Sequence, residues 1–573
     1  MTNRPLYAWI RRCVLVSLTL LLLIIPARGQ QAWWVFFTDK GDQVEARLAH
    51  PQTFLGPAAI DRRMRLGIGV TPGDLPVWQP YVSHLRAREL PLLATSRWMN
   101  AAVVRATEAD LLPLLGQPWV RGIRPAVTLT LSAYETADEV PVIAPADDAY
   151  GEAAFQIDML HLVPLHERGL RGAGVRIAVL DGGFTGVDNM MVFDSLRSSG
   201  RLIVGYDFVD GDTTLFESST HGTQVLSTIA ANQPGTMIGT APDATYYLFR
   251  TENVRSETQQ EEYNFLRAVE WADSIGVDII HASLGYNDFD DDIGSYTYKD
   301  MNGATAIVTR AVDMAAARGI LCNIAAGNEQ RSSWHYISAP CDADSALCVG
   351  SVDRYSRLSS FSSVGPTADG RIKPDVVALG TRATVASPGD RLQKQDGTSV
   401  SSPQVAGLVA CLMQAHPDRG PMDIIRAIRL SGDQAASPDT AYGYGIPHAV
   451  RADSLLRTGQ DLAAIVLQPG EKPVRGRPVV LPEKPADPQP AFTINPRTRI
   501  AVADGVMEII VPAGESIEAV QLSMGKQRVF LNPRLVEQAG NTYRIQTRYL
   551  RKGTYTVRVE AGPLGELLSW TLQ

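Results

Sequence analysis

Short apolar runs alternate with helix-like segments through the middle of the chain. Two segments carry apolar residues at helical spacing, YNFLRAVEWADSIG and ATAIVTRAVDMAAARG, and the second reaches a glycine stop at Gly319. Four apolar runs end in glycine or a polar residue, as buried strands do: GVRIAVLDGG, VDIIHASLG, GILCNIAAGN and ALCVGSVD. Strands that alternate with helices predict an α/β fold, with a doubly wound parallel sheet and helices on both of its faces.

The regions on either side of this central pattern have different periodicities. Residues 30–140 open with the strand-like run WWVFFTDK and continue with mixed patterning, which predicts a small α+β domain ahead of a central domain at 150–460. Residues 466–490 contain seven prolines, and that density predicts an extended linker. Residues 491–573 carry the strand signals VMEIIV, IEAVQLSM, YRIQTRY and TYTVRVEA, which predict a C-terminal β-sandwich.

The first 29 residues have the pattern of a signal peptide. Three arginines precede an apolar core of thirteen residues, Cys13 to Ile25, and Ala27 and Gly29 supply small residues at cleavage spacing. The alternative is a membrane anchor, but this core is shorter than the ~20 residues that span a bilayer. We therefore expect export of a protein that has no membrane span once the signal is removed.

Charge and cysteine content narrow the range of partners. The 573 residues have a formal net charge of -8, so a nucleic-acid partner is not expected, and we expect a monomer. No cysteine has zinc-ligand spacing with a histidine pair. In an exported protein Cys341 and Cys348 either form a disulfide or remain buried thiols, and the sequence leaves both alternatives open.

Three residues with catalytic side chains stand where strands end or helices begin. Asp181 ends the strand VRIAVLD, His221 begins the helical segment HGTQVLSTIA, and Ser399 lies in DGTSVSSPQVAGLVACL, with Pro403 in the predicted first helical turn. Each has an ordinary structural alternative, as a cap or turn residue. Because ligand chemistry in parallel sheets gathers at the carboxyl ends of the strands, we expect the three to converge.

A fourth residue of this kind is Asn328, in NIAAGNEQ at another strand end. Its side-chain amide is suited to donate a hydrogen bond to an oxyanion, and the start of a helix at Ser399 would add backbone N–H groups. The alternative is an asparagine in a left-handed turn. Four such residues at successive strand ends, each near a glycine, favour the catalytic interpretation.

The motifs VLDGGF, HGTQV, SLG, AAGNE and GTSVSSPQVAG resemble those of the subtilisin-like serine proteases and occur in that family's Asp-His-Ser order. The resemblance implies that Asp181 orients His221, that His221 is the general base and that Ser399 is the nucleophile. It also implies that Asn328 is the oxyanion donor. The same resemblance implies that five further residues bind the substrate: Ser283, Leu284, Gly285, Ala326 and Gly327.

Three positions depart from the family pattern. Gly182 stands where Ser or Thr is frequent, and Gln224 stands where a second His often follows, but neither replaced group is needed to move the proton. Val400 replaces the Met that many members carry after the nucleophile. Since no sulfoxide forms at a valine, we expect better peroxide tolerance than in Met-bearing relatives.

Both flanking regions also resemble parts of secreted subtilases. Residues 30–140 are similar to their N-terminal prodomains through FFTDK, IDRR and SRWMNAAVV, which implies an intramolecular inhibitor and folding aid that is removed from a precursor. The cut is expected between Leu131 and Ala153. The C-terminal region is similar to type IX secretion tails through INPRTR and LRKGTYTVRV, with a generic binding or spacer sandwich as the alternative.

The sequence therefore predicts a secreted or cell-surface serine endopeptidase that cleaves polypeptide substrates. A peptide-docking protein without activity and an esterase with the same triad are the alternatives from other classes. The chemistry requires no cofactor or metal. Carboxylate clusters at Asp207, Asp210 and Asp212 and at Asp288 to Asp292 leave open a structural calcium ion, for which no ligands are assigned.

Overall fold

The computed structural model describes residues 31–126, 149–290 and 295–458, together with the backbone of eight strands between residues 499 and 572. The predicted signal segment and the proline-rich linker lie outside the described residues. In the described part of the chain, no helix combines the length and the apolar character needed to cross a bilayer.

The N-terminal domain is a four-stranded antiparallel sheet with the order β2-β3-β1-β4. The strands are β1 (Gln31–Phe37), β2 (Leu92–Ser96), β3 (Ala101–Ala106) and β4 (Val120–Ala126), and the helices are α1 (Val44–Leu48), α2 (Pro57–Arg65), α3 (Gln79–Arg86) and α4 (Glu108–Leu115). Successive residues of β1 face opposite sides of the sheet, so Trp33 packs in a core with α3 and α4 while Trp34 packs toward the central domain.

The central domain contains a seven-stranded sheet in which every neighbouring pair is parallel. Its order is β13-β12-β11-β10-β5-β9-β6, and two short antiparallel pairs, β7-β8 and β14-β15, lie outside it. The strands are β5 (Arg176–Asp181), β6 (Leu202–Asp207), β7 (Asn232–Gln233), β8 (Met237–Ile238), β9 (Thr245–Arg250), β10 (Ile279–Ala282), β11 (Leu321–Ala325), β12 (Ala346–Val352), β13 (Val376–Leu379), β14 (Ala383–Ser387) and β15 (Arg391–Gln395).

Helices cover both faces of this sheet, as the alternating pattern predicts. They are α5 (Ala154–Met159), α6 (Val163–Glu167), α7 (Asp194–Ser198), α8 (His221–Ala230), α9 (Gln259–Ile275), α10 (Ile307–Ala316), α11 (Thr398–Ala415), α12 (Pro421–Ser431) and α13 (Ala449–Thr458). Val179 of β5 belongs to the core formed with α8 and α11, whereas its neighbour Leu180 belongs to the core formed with α9 and α10. The predicted doubly wound α/β class is confirmed.

Helix α9 links the two domains. It begins with a capping box between Thr258 and Glu261 and ends at Gly276, whose φ of 86° is left-handed. A Cβ on Gly276 would stand 2.4 Å from the Cβ of Ala58 in α2. The end of this helix is therefore shaped for close contact with the N-terminal domain.

The C-terminal region contains two four-stranded antiparallel sheets, with the orders β16-β17-β21-β20 and β19-β18-β22-β23. The strands are β16 (Arg499–Ala503), β17 (Val506–Ile510), β18 (Ile517–Met524), β19 (Gln527–Val529), β20 (Val536–Ala539), β21 (Thr542–Gln546), β22 (Gly553–Ala561) and β23 (Leu564–Leu572). The predicted strands are thus present in the backbone. Their packing face to face as a sandwich stays a prediction.

Candidate active site

Asp181 and His221 are in direct contact at the carboxyl edge of the central sheet. Asp181 is the last residue of β5 and is 1% exposed, and His221 is the first residue of α8. His221 Nδ1 lies 2.9 Å from each carboxylate oxygen of Asp181. An Nδ1–H that donates to Asp181 leaves the lone pair of Nε2 free to accept a proton.

The electrostatic surroundings favour a basic imidazole. Burial lowers the pKa of His221, but the negative charge of Asp181 and its hydrogen bond raise the pKa by more, so it lies above its ordinary value. Gly222 brings the helix close to the strand, since a Cβ there would lie 2.4 Å from the carbonyl oxygen of Gly183. Because Gly222 has no side chain, the start of α8 can lie this close to the backbone of Gly183.

Ser399 is the second residue of α11, and Gly397 is the N-cap. The interpretation of Ser399 as an N-cap residue is therefore wrong. Pro403 lies inside the helix and not in its first turn, because the helix begins at Thr398, ahead of the serines. The hydroxyl of Ser401 donates to the carbonyl oxygen of Gly350 and so links α11 to β12.

Asn328 is held against the start of α11. Its Oδ1 accepts hydrogen bonds from the backbone N–H of Thr398 at 2.9 Å and from the Thr398 hydroxyl at 3.0 Å, which leaves its Nδ2 donor group for another partner. A Cβ on Gly397 would stand 2.8 Å from Ser399 Oγ and 3.8 Å from Asn328 Nδ2. The hydroxyl and the amide therefore both lie within 4 Å of the position that a side chain at 397 would take.

The hydrogen bonds join some of the candidate residues and not others. Among the described residues, Ser399 is connected to the site through its backbone carbonyl, and its hydroxyl has no hydrogen bond to His221. Catalytic hydrogen bonds are often long in a free enzyme and shorten when substrate binds. Asp181 with His221, and Asn328 with the start of α11, thus form two preassembled halves of the site.

The residues expected to bind substrate follow the carboxyl ends of β10 and β11. Leu284 and Gly285 follow β10, and the described residues provide no hydrogen bond to their backbone groups, so an extended peptide has an edge on which to pair. Ala326 is buried, and its N–H donates to the carbonyl oxygen of Val349. The N–H of Gly327 donates to the Thr398 hydroxyl at 3.2 Å.

Ser283, the remaining member of that set, makes a contact that sequence reasoning missed. Its hydroxyl donates to the backbone carbonyl of Ser399 at 2.9 Å and also lies 2.9 Å from Nε2 of His281. His281 in turn contacts Asn323. The sequence did contain a signal for this contact, because the otherwise apolar strands IIHA and LCNIA each carry one polar residue, a histidine and an asparagine.

Three carboxylates beside Asp181 were also missed. Oxygens of Glu252, Glu257 and Glu261 lie within 4.8 Å of one another, and Tyr286 donates to Glu252 at 2.7 Å. Burial, together with the charges of Glu252 and Asp290, raises the pKa of Glu257 to about 9. Burial likewise raises the pKa values of Glu252 and Glu261. The spacing of acidic residues in TENVRSETQQEE was the available signal.

Arg250 pairs with one of the acidic runs considered for calcium. Asp207 and Asp210 both accept from Arg250, and Asp212 accepts from the N–H of Thr214. In the other run, Asp291 and Asp292 lie outside the described residues. A structural calcium ion stays a prediction.

Cys341 and Cys348 are joined as a disulfide with a Cα–Cα distance of 5.1 Å. The alternative of two free thiols at these positions is therefore wrong. Cys322 and Cys411 are buried free cysteines. The bridge connects the loop after β11 to β12, next to the strands that carry the site.

Two family models match the chain, one for each of its first two domains. The model of the subtilase family matches residues 172–445, and the model of the peptidase S8 propeptide domain of Bacteroidota matches residues 32–139. The second match supports the resemblance of the N-terminal region to a propeptide, and therefore activation from a precursor.

Curated relatives and a solved structure agree with these matches. Subtilisin NAT of Bacillus subtilis subsp. natto is 31% identical over 325 residues, which are 56% of this chain and 72% of that protein. The subtilisin of Bacillus pumilus is 32% identical over 267 residues, 46% of this chain and 85% of that protein. The epidermin leader peptide processing serine protease of Staphylococcus aureus shares the fold, with a TM-score of 0.50 and 16% identity over 75% of this chain and 99% of that one.

The likeness to the solved structure concerns the fold alone. The curated subtilisins, in contrast, are similar to this chain in sequence over the aligned residues. In this chain Asp181, His221 and Ser399 stand on the parallel-sheet domain in the Asp-His-Ser order that is typical of subtilisin. The chain belongs to the subtilase family and is a serine endopeptidase that carries a propeptide domain.

Proposed function

We propose that peptide hydrolysis in this chain runs through Asp181, His221 and Ser399. His221 Nε2 takes the proton of the Ser399 hydroxyl as its oxygen attacks the scissile carbonyl, and later gives that proton to the leaving amine. Water then repeats the cycle on the acyl-enzyme and releases the acid product. The observation that carries the proposal is the Nδ1 contact of His221 with Asp181 at 2.9 Å, since it aims Nε2 away from the carboxylate.

Asn328 is the proposed donor to the oxyanion that forms during the attack. Its Oδ1 is occupied by two hydrogen bonds from Thr398, so its Nδ2 is the group that faces outward. Held in this way, the amide donates without reorganisation as charge develops, and removal of one such donor typically costs about 10²–10³ in kcat. The start of α11 adds a partial positive charge at the same place.

The polypeptide substrate is proposed to lie as an extended strand beside Leu284 and Gly285, with Ala326 and Gly327 on the opposite wall. Backbone pairing of this kind suits a peptide and offers little to a small ester. This supports an endopeptidase over an esterase. Ser283 does not bind substrate through its hydroxyl in this arrangement, because that hydroxyl is already bonded to Ser399.

The chain is further proposed to be exported and to mature by cutting itself. In this proposal residues 1–29 are a signal peptide, 30–140 the inhibitory prodomain, 150–460 the catalytic domain, 466–490 a linker and 491–573 a C-terminal sandwich. Matches to the propeptide and family models support the second and third of these assignments, the prodomain and the catalytic domain. A type IX secretion tail at the end of the chain rests on the short motifs alone.

The test compares the purified wild-type chain with Ser399→Ala. We expect the wild type to lose its N-terminal domain and to digest an unfolded protein such as casein, and the variant to do neither. Loss of the triad serine lowers kcat by about 10⁶ in an enzyme of this family. Chain length on a gel and the release of peptides are the two measurements.

Ser401→Ala is the matched control, since it removes a hydroxyl from the same turn of α11, where Ser401 donates to Gly350. It should mature and cleave as the wild type does. A Ser399→Ala chain that still matures and digests casein would refute the nucleophile assignment. Cleavage of a small ester without digestion of casein would point to the esterase alternative.

A further inference from the structure

A side-chain hydrogen bond passes over the strand end that carries Asp181. The hydroxyl of Tyr286, in the loop after β10, donates at 2.7 Å to Oε1 of Glu252, in the loop after β9. In the sheet, β5 lies between β10 and β9, so a bond between these two loops crosses the end of β5. The position of Gly182 supports the crossing, since a Cβ there would stand 3.8 Å from the Cβ of Glu252.

Donor and acceptor have fixed roles in this hydrogen bond. Burial and the charge of Glu252 raise the pKa of Tyr286, so its hydroxyl keeps the proton that it donates. Oε1 of Glu252 accepts that proton and also accepts the hydroxyl of Thr251 at 2.6 Å. Burial raises the pKa of Glu252 as well, but a proton taken up on Oε2 leaves both bonds in place. The contact therefore survives in either protonation state of the carboxyl group.

Tyr286 is the fixed end of the segment on which a peptide is proposed to pair. Its N–H donates to the carbonyl of Ala339 at 2.7 Å, and its carbonyl accepts the N–H of Ala339 at 3.1 Å. Between the end of β10 and Tyr286 lie Leu284 and Gly285, the substrate edge, whose backbone groups have no hydrogen bond to the described residues. The position of the substrate edge therefore depends on what holds its two ends.

Glu252 is in turn connected to the strand of Asp181. It follows Thr251, whose N–H donates to the backbone carbonyl of Asp181 at 3.0 Å. Tyr286 is 1% exposed, and among the described residues Glu252 is the acceptor of its hydroxyl. Without that acceptor the hydroxyl would be drawn toward water, because a buried polar group without a partner is costly, and the substrate edge would move with it.

We propose that Glu252 is a positioning residue for peptide binding: by accepting from the Tyr286 hydroxyl it holds the substrate edge at a fixed distance from Asp181. The inference rests on the proposed pairing of a peptide with this edge and on the proposed role of Ser399 as nucleophile. Glu252 touches no reacting atom and acts through Tyr286. Because a peptide pairs with the edge in the bound state and in the transition state alike, the effect falls on KM and not on kcat.

The kinetic test uses the full chain after maturation, with Glu252→Leu, Glu252→Gln, Tyr286→Phe and the double variant Glu252→Leu with Tyr286→Phe. The substrate is a fluorogenic peptide that copies a casein site cut by the wild type. We expect Glu252→Leu and Tyr286→Phe each to raise KM about fivefold to tenfold, the loss expected for one hydrogen bond, with kcat within about twofold of wild type.

Glu252→Gln is the conservative variant of this set. Its amide oxygen can still accept from Tyr286, and its N–H groups can donate to the carboxylates of Glu257 and Glu261, whose oxygens lie within 4.8 Å of those of Glu252. We therefore expect its KM to stay within about twofold of the wild-type value. A rise of KM in Glu252→Gln as large as that in Glu252→Leu would overturn the proposal.

The double variant and a small reagent separate positioning of the edge from other roles. If Glu252 acts through Tyr286, the double variant should match Tyr286→Phe to within about twofold. A fluorophosphonate reagent labels Ser399 without pairing with the edge, so its rate should be the same in all four variants. Increases in KM that multiply, slower labelling of Ser399, or a Glu252→Leu enzyme with wild-type KM would each overturn the proposal.

Tyr246 provides the matched control. It is a 0% exposed tyrosine of β9 whose hydroxyl donates to the carbonyl of Ala241 at 2.7 Å, and its ring packs in the core with α8 and α11. Tyr246→Phe loses the same group as Tyr286→Phe and should lower the Tm while KM stays within about twofold of wild type. An equal rise of KM in both variants would overturn the proposal.

Tyr286→Phe keeps the test decisive if Glu252→Leu fails to fold, because it removes one hydroxyl and leaves the ring in place. Labelling of the wild type by the fluorophosphonate counts the active sites and checks Ser399 separately. A wild type that is not labelled at Ser399 contradicts the catalytic assignment and this inference with it. Variants that are labelled at the wild-type rate and keep the wild-type KM contradict this inference alone.

Discussion

At the scale of single residues, the charge of Asp181 determines the acid–base behaviour of His221. Burial alone would lower the pKa of the imidazole, and the carboxylate at 2.9 Å reverses that direction. A raised pKa means that His221 loses its proton at a higher pH than a free imidazole does. In the proposed mechanism neutral His221 accepts the proton of Ser399, so activity should rise with pH on the acid side and fall as pH decreases through this raised pKa.

Asp181→Asn should therefore change both the rate and the pH profile. We expect kcat to fall by about 10⁴, because the amide no longer stabilises the imidazolium or the productive tautomer. The acid limb of kcat/KM should move to lower pH, because burial lowers the pKa of His221 once the charge is gone. A pH–rate profile of both proteins tests this, and an acid limb that does not move would contradict the assignment.

At the scale of elements, two structural features fix the strand ends near the site. Pro403 removes one hydrogen bond from α11 and thereby opens the carbonyl of Ser399 to the hydroxyl of Ser283, the residue after β10. The disulfide joins Cys341, in the loop after β11, to Cys348 of β12, and the two cysteines have a sequence separation of 7. Both features hold the carboxyl edge of the sheet in place.

Replacement of Cys341 and Cys348 by serine should lower the free energy of unfolding by about 2–3 kcal/mol, the chain-entropy value for a short loop. The Ser399→Ala background avoids self-digestion during the measurement. A thermal scan should show a lower Tm for the double variant. Reductant should lower the Tm of the parent and leave that of the double variant unchanged.

Cys322→Ala is the control for this experiment, since Cys322 is a buried free cysteine on β11. It should lose some packing energy but keep its sensitivity to reductant. If reductant leaves the Tm of the parent unchanged, the disulfide does not stabilise the fold.

At the scale of the whole molecule, the N-terminal and central domains meet through a buried ionic cluster. Asp273 of α9 is 0% exposed and pairs with Arg62 at 2.5 Å, Arg63 at 2.8 Å and Arg97 at 2.6 Å, all three from the N-terminal domain. Ser96 adds a hydrogen bond to Glu270, also on α9. Loss of one member of such a cluster leaves buried charges without partners and is strongly destabilising.

Asp273→Asn should weaken the hold of the N-terminal domain on the central one. The expected cost is about 3–5 kcal/mol in the intact chain. Less precursor should fold. In the fraction that folds, active enzyme should appear sooner after the prodomain is cut from the catalytic domain, because the cleaved prodomain dissociates faster. The delay between chain cleavage and the onset of casein digestion is the measurement.

Asp453→Asn is the matched control, because Asp453 is a buried aspartate that pairs with Arg168 and His416 inside the central domain. It should reduce stability and leave the delay unchanged. An equal change of the delay in both variants would show that Asp273 acts on stability in general and not on prodomain release.

The local pattern of the sequence was enough for the strand–helix alternation and the parallel sheet, and it singled out Asp181, His221, Asn328 and Ser399 as candidates for the site. Strand ends, glycines and helix starts depend on neighbours within a few positions, and that information is present in any short window. The same reasoning misplaced Pro403, because the first residue of a helix depends on what packs against it.

Only the tertiary structure decided which distant residues meet. His281 and Asn323 are ordinary strand positions until β10 and β11 lie side by side, and Ser283 reaches Ser399 only because the start of α11 lies at that edge. Arg62 and Arg63 of α2 are buried because they pair with Asp273, more than 200 positions away. Side-chain contacts of this kind depend on long-range packing, which no short stretch of sequence contains.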